Sequence, residues 1–378
     1  MAVPAANQAF EEAIKVTPVN SHRYSAVLRD EWCIGTGTSP TICSVAIRNH
    51  CELIWHRIVP NGGYTTAVLY RLAITHFAHT HPRRYDATAT PISMQLAFLR
   101  RTAVGPAVLE VQDTKLGART STIHVALLQP SEKGKKKGAQ TGSSASSEDG
   151  GNLEVKVAGY ITVSPATAEV GVSAPSSWTL LPEAIRGSGP QGRVNLAALR
   201  ETGRDGQWVR LVAPFPKFRR ASQQVELYGP DPALGKTPVV DQWARFRPGG
   251  NTEARWTNEA VAFLVDMFPM ALDGFDSMGK VTKEGGTTDD AAETESAKGK
   301  LAKYWYPTVT LNIDFKKRLP ASGVEWLYSR VQTKSVRNGR TDLDVIVLDE
   351  QGDVVALSTQ VGLVVDASRN IGQRKSKI

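Results

Sequence analysis

The chain has 378 residues, 41% of them hydrophobic and 22% charged. That length supports a large core and about two domains, and no apolar run reaches the ~18 residues that a membrane helix needs. The net charge of +8 lies partly in "EKGKKKG" and "RKSKI", away from aromatic residues, which argues against a nucleic-acid-binding face.

The first residues, "MAVPAANQAFEEAIKV", lack a basic start followed by an apolar block, so no secretory signal is expected. Cys33, Cys43 and Cys51 are odd in number and lack CxxC spacing. They read as structural thiols of a reducing compartment. A strand is expected in "CELIWHRIV", followed by Asn61, the pair Gly62-Gly63 and an apolar helix over 64–79. The plainer reading of the glycine pair is a turn before a core helix. The functional reading is a helix start left open, so that a ligand reaches its bare amides. The helix ends in "THFAHTHP". His76, His79 and His81 are read there as polar residues at a helix C-terminus rather than as a metal triplet.

Alternation of apolar and polar residues then predicts antiparallel strands over 92–128 and again over 309–348. The two stretches match in order: an alternating segment ending in Phe98-Leu-Arg-Arg or Phe315-Lys-Lys-Arg, a glycine turn, a β-rich segment to Thr114-Lys115 or Thr333-Lys334, and a return strand. Each copy gains a last strand, 153–164 in the first and "VVALSTQVGLVV" after the tight turn "EQGD" in the second. Each also has a helix ahead of it, the second being "TNEAVAFLVDMF" (257–268), with Thr257 or Asn258 as its expected N-cap. Residues 130–152 and 279–300 lack core-forming side chains and read as long loops. The Pro- and Gly-rich stretch 166–230 reads as a connection. The expected domains are therefore 1–165 and 231–378.

Strand, Gly-Gly, buried helix and antiparallel strands, given twice, resemble the acyl-CoA thioesterase-like double-hotdog family, including its bacterial thioesterase II type. "NGGYTTAVLYRLA", "FLRR", "WLYSRVQTKSVRNGR" and "DEQGDVVALSTQVGLV" carry the resemblance over roughly 50–165 and 240–366. It implies an α+β fold in which each unit is a curved antiparallel sheet wrapped round a helix. It also implies hydrolysis of a CoA thioester by water at the seam of the units, with no cofactor or metal. One chain would form a pseudo-dimer alone or pair further as a homo-oligomer.

The resemblance assigns site residues in turn. Gln360 matches a strand glutamine that positions water, and Thr333, or Ser335 beside it, matches a hydroxyl partner. The family's acid falls on Asn312 when aligned on Pro320 and on Thr310 when aligned on Phe315; Asp314, on the same strand face, is the nearest carboxylate. Asp266, inside the apolar run "AVAFLVDMF", is either hydrogen-bonded structure or an acid with a raised pKa. Gly63 and Tyr64 N–H groups are expected to face the thioester carbonyl, and Asn61 to cap the helix or touch substrate. An asparagine in the acid's place would favour a second reading, a non-hydrolytic protein that binds acyl-CoA or an acyl carrier. A dehydratase is disfavoured, because no histidine lies within the second helix. The terminal Ser376-Lys377-Ile378 is one conservative change from the Ser-Lys-Leu peroxisomal address. Peroxisomal import through its receptor is expected, with the cytoplasm as the alternative.

Overall fold

In the computed structural model, residues 5–35, 58–131 (except 84, 86 and 87), 152–267 (except 175, 214, 215, 217 and 235–238) and 304–366 are described. Cys43, Cys51, nearly all of both expected loops, most of the expected strand "CELIWHRIV" and the terminal Ser376-Lys377-Ile378 lie outside them.

Alternation in the sequence becomes one 15-stranded antiparallel sheet. Its first half runs Val16–Pro18, Arg23–Leu28, Gly105–Leu116, Ser121–Pro130, Leu153–Ser164 and Thr90–Phe98. The second half continues from Thr308–Phe315 through Val354–Leu363, Arg340–Leu348 and Trp326–Gln332 to Val239–Phe246 and beyond. The order in each half mirrors the other, so the repeat read in the sequence is a structural repeat. Its seam is the pair Thr90–Phe98 and Thr308–Phe315, with Leu311 opposite Leu96 and Asn312 opposite Gln95. In the first unit the strand equivalent to Val239–Phe246 is Arg23–Leu28, paired with Gly105–Leu116. Within the stretch read as a connection, Val225–Pro230, Trp208–Leu211 and Arg204–Asp205 extend the second unit's edge.

Two helices lie against the inner face. Gly62–Thr80 is apolar nearly all round and is buried from Tyr64 to Ala73 save for Arg71, as a helix covered on every side must be. The second helix, Asn258–Leu264, is shorter than expected. Thr257 stands at its N-cap but its hydroxyl accepts no capping bond; the Asn258 side chain instead exchanges a bond with Leu319, whose N–H it accepts at 2.9 Å. The helices touch, and that contact explains the glycines. A Cβ on Gly63 would stand 2.5 Å from the Phe263 carbonyl oxygen, and one on Gly62 would stand 2.7 Å from Asp266 Oδ2. Only glycine admits so close a backbone approach.

Further along the same contact, Arg71 reaches Glu11 at 2.6 Å and Glu259 at 3.1 Å. Burial pushes the Glu11 carboxyl up, opposed by the Arg71 charge beside it. Phe10, Trp32, Tyr64, Phe246 and Phe263 pack in one aromatic group across both units, so the two share a single core.

Candidate active site

Asp266 does not lie within the helix. The helix ends at Leu264, and Val265 and Asp266 form the turn that follows. From there the carboxylate crosses to the start of the other unit's helix. Asp266 Oδ2 accepts the Gly63 N–H at 2.8 Å, and Oδ1 accepts the Thr308 hydroxyl at 3.1 Å. Asn61, buried at the N-cap, accepts the Tyr64 N–H at 3.1 Å. The helix start is therefore closed by protein side chains. Neither the Gly63 nor the Tyr64 amide points at open space, contrary to the expectation that they face a substrate carbonyl. The Tyr64 hydroxyl donates to the Ala13 carbonyl at 2.7 Å, so this residue is a core tie.

Burial pushes the Asp266 carboxyl from 3.8 up to about 6, against the pull of the bonds from Gly63, Thr308, Gly62 and Asn61. Loss of water disfavours the charged form more than the helix N-terminus and these donors restore it. The residue keeps a part-exposed edge. That edge faces a cavity of about 80 Å³ between the units, to which Asn61, Val265, Asp266, Thr308 and Gln360 contribute. Leu343 and Thr341 line one side; Tyr304, Trp305 and Tyr306 line another, with Phe218, Arg219 and Ser222 near Ile34.

Gln360 sits on the inner face of Val354–Leu363, where burial alternates. Its amide donates to the Val265 carbonyl at 2.6 Å. This holds the side chain beside Asp266 on the cavity wall. A register shift between Thr308 and Thr310 places the Asp266 partner. Strict alternation would send Thr308 outward with Thr310, Asn312 and Asp314; the bulge turns it inward.

The same parity sets Asn312 and Asp314 on the outer face. Asn312 is exposed and bonds Thr359 at 3.3 Å; Asp314 is exposed beside Lys316 at 3.6 Å. The structure thus brings together Asp266, Gln360, Asn61 and the glycine pair, and leaves Asn312 and Asp314 on the far side of the sheet. Thr333 is buried just beyond the pair Gln332–Asp344, off the cavity wall, and its hydroxyl has no hydrogen-bond partner among the described residues. Ser335 is exposed, and its N–H donates to Asp342. Thr308, Arg219 and the run Tyr304-Trp305-Tyr306 were not expected at the site. Three aromatics in succession just ahead of a seam strand were the available signal.

Family comparison agrees with this architecture. Residues 53–162 match the model described as the acyl-CoA thioesterase N-terminal domain, and residues 194–364 match that of the C-terminal domain. The chain belongs to the acyl-CoA thioesterase family. As a member of that family it is a thioester hydrolase. The thioesterase-like protein TwmA of Talaromyces wortmannii is 28% identical over 377 residues, covering 98% of this chain and 95% of that protein. Among solved structures, a protein of Thermobifida fusca named as a candidate thioesterase II aligns with a TM-score of 0.59 at 18% identity, over 97% of this thioesterase and 100% of that chain. A hot dog fold protein of Alicyclobacillus acidocaldarius aligns with a TM-score of 0.57 at 17% identity, over 94% and 98% of the two chains. These two likenesses concern the fold.

Proposed function

We propose that this thioesterase hydrolyses an acyl-CoA in the cavity between its units, with Asp266 as the base that takes a proton from the attacking water. The observation that carries this reading is a carboxylate raised to about 6 on the wall of a cavity, with Gln360 fixed beside it. A base of that pKa is ionised at neutral pH and still accepts a proton readily. Water attacks the thioester carbon; its proton passes to Asp266 and then to the departing CoA thiolate, leaving free acid and CoA. Gln360 orients the water, and the Thr308 hydroxyl, which Asp266 holds, lies at the same end of the cavity. The aromatic wall of Tyr304, Trp305 and Tyr306 suits the apolar acyl portion.

The test is thiol release from a panel of short, long and aromatic acyl-CoAs, with wild type beside Gln360→Ala. CoA release that falls about a hundredfold in Gln360→Ala supports the site. Release unaffected by the substitution places the chemistry elsewhere.

One observation favours a second reading, non-hydrolytic binding of an acyl thioester. The helix-start amides expected to stabilise an oxyanion are already bonded to Asp266 and Asn61. In that case acyl-CoAs bind without turnover. Peroxisomal import through Ser376-Lys377-Ile378 belongs to the same proposal; a fluorescent fusion that stays diffuse with the tripeptide intact would remove it.

A further inference from the structure

At the other end of the helix Gly62–Thr80, about 21 Å from the glycine pair by helical rise, three imidazoles converge on one carboxylate. His76 Nε2 lies 2.9 Å from Asp113 Oδ1, His81 Nε2 lies 3.0 Å from Asp113 Oδ2, and His22 Nε2 lies 3.5 Å from the same Oδ2. The ligating atoms of His76, His81 and Asp113 fall within 4.8 Å of one another. We infer that His22, His76, His81 and Asp113 form a binding site for a tetrahedral late first-row dication, with zinc the fitting case.

The spacing suits the ion. Nitrogen and oxygen ligands about 2.0–2.1 Å from zinc stand roughly 3.3 Å apart around a tetrahedron, close to the 2.9, 3.0 and 3.5 Å between the imidazoles and Asp113. Three imidazoles and one carboxylate are a donor set that zinc prefers over magnesium or calcium.

Surrounding bonds orient the ligands. The Tyr24 hydroxyl lies 2.9 Å from His76 Nδ1 and donates to the Ser21 carbonyl at 3.0 Å. Its oxygen is therefore able to accept a hydrogen bond from Nδ1–H, and in that tautomer the Nε2 lone pair is free to ligate. Such outer partners accompany ligating histidines.

The strand is shaped for the site as well. A register shift in Gly105–Leu116 falls between Asp113 and Lys115, and such bulges re-aim a side chain. The helix C-terminus, where His76 and His81 sit, favours positive charge. The sequence showed only the helix histidines; Asp113 and His22 arrive from two other strands' neighbourhoods. His79, the third histidine of that run, is exposed and is not among the ligands. The site lies far from the cavity, so the ion ties the helix end to the turn before Arg23–Leu28 and to Gly105–Leu116, and takes no part in hydrolysis.

The experiment uses the full chain, freed of metal by chelation and then titrated with zinc alone. One equivalent should bind, and Tm should climb with the logarithm of zinc concentration. Cobalt in place of zinc should give the intense visible absorption of a tetrahedral site. His81→Ala and Asp113→Asn, checked for native circular dichroism, should lose the cobalt spectrum and the zinc-dependent Tm rise, while His79→Ala keeps both. Thioester hydrolysis should stay within twofold between the metal-free and zinc-loaded protein. Absence of stoichiometric binding, or the weak spectrum of six-coordinate cobalt, overturns the proposal and leaves the cluster a hydrogen-bonded network.

Discussion

Replacing Asp266 with asparagine separates its contact at the helix start from its proposed role as base. In the wild type the carboxylate accepts the Gly63 N–H and the Thr308 hydroxyl, and burial raises its pKa to about 6. The folded protein therefore holds the proton more tightly than the unfolded chain does. This contribution to stability is fully present below 3.8 and is lost as pH rises through about 6. The loss is on the order of 3 kcal/mol at its limit, since each tenfold change in proton affinity is worth about 1.4 kcal/mol. Asparagine has no such titration, so denaturant midpoints of Asp266→Asn should be flat across this window while those of the wild type decline. Asparagine keeps one acceptor oxygen and turns an amide toward the other donor, which costs about 1–3 kcal/mol at every pH. Hydrolysis should behave differently. Wild-type kcat/KM should rise with pH through about 6 and level off, and Asp266→Asn should lose roughly 10²–10⁴-fold at pH 8. The assay is CoA release at pH 5–8 with the best substrate of the panel. A variant that keeps activity within about threefold, or a wild-type profile flat from pH 5 to 7, refutes Asp266 as base and leaves it a cap alone.

Gln360→Ala should lower kcat about a hundredfold, and should also lower stability by about 1–3 kcal/mol because the Val265 carbonyl loses its donor, read by steady-state kinetics and urea unfolding. Gly63→Ala should destabilise by about 1–3 kcal/mol in urea unfolding, because its methyl group would press on the Phe263 carbonyl, and activity should fall with the displaced Asp266. Asn312→Ala and Asp314→Ala should each leave CoA release within twofold, since both side chains are on the outer face; a large loss in either would mean that the reacting centre lies outside the seam.

The fold was legible because its signals are periodic and repeated. Alternation fixed the strands of both units, and the two copies supported one another where either alone was weak. The strand Arg23–Leu28 was not read, and its place was given to "CELIWHRIV", because more than thirty residues with their own apolar run separate it from its helix. At the site, Gln360 was readable from its strand context. Asn312 and Asp314 were drawn in by alignment on a strand whose inward face changes at a bulge, and single-residue bulges leave no mark in composition. Gly62-Gly63 was noticed for the right physical property, close approach. The approaching group is Phe263-Asp266 of the same chain, some two hundred residues on, and that contact is invisible to any local pattern. Asp113 was missed for the same reason: its histidine partners come from elements distant in sequence.

The pairing of Arg71 with Glu259 has a bearing on how many sites the chain carries. The second residue of each helix meets a side chain of the other unit's helix or of the turn after it: Gly63 meets Asp266, just past the end of Asn258–Leu264, and Glu259 meets Arg71, midway along Gly62–Thr80. The two contacts are counterparts in a duplicated design. One holds an acid beside a glycine pair and a cavity. The other holds an arginine clasped by Glu11 and Glu259 and acts as a fastening. On the proposed reading, with one cavity-facing acid and one arginine clasp, each chain should complete a single hydrolysis at a time. The fastened side is free to hold the halves in register while substitutions around the open side alter which acyl group fits.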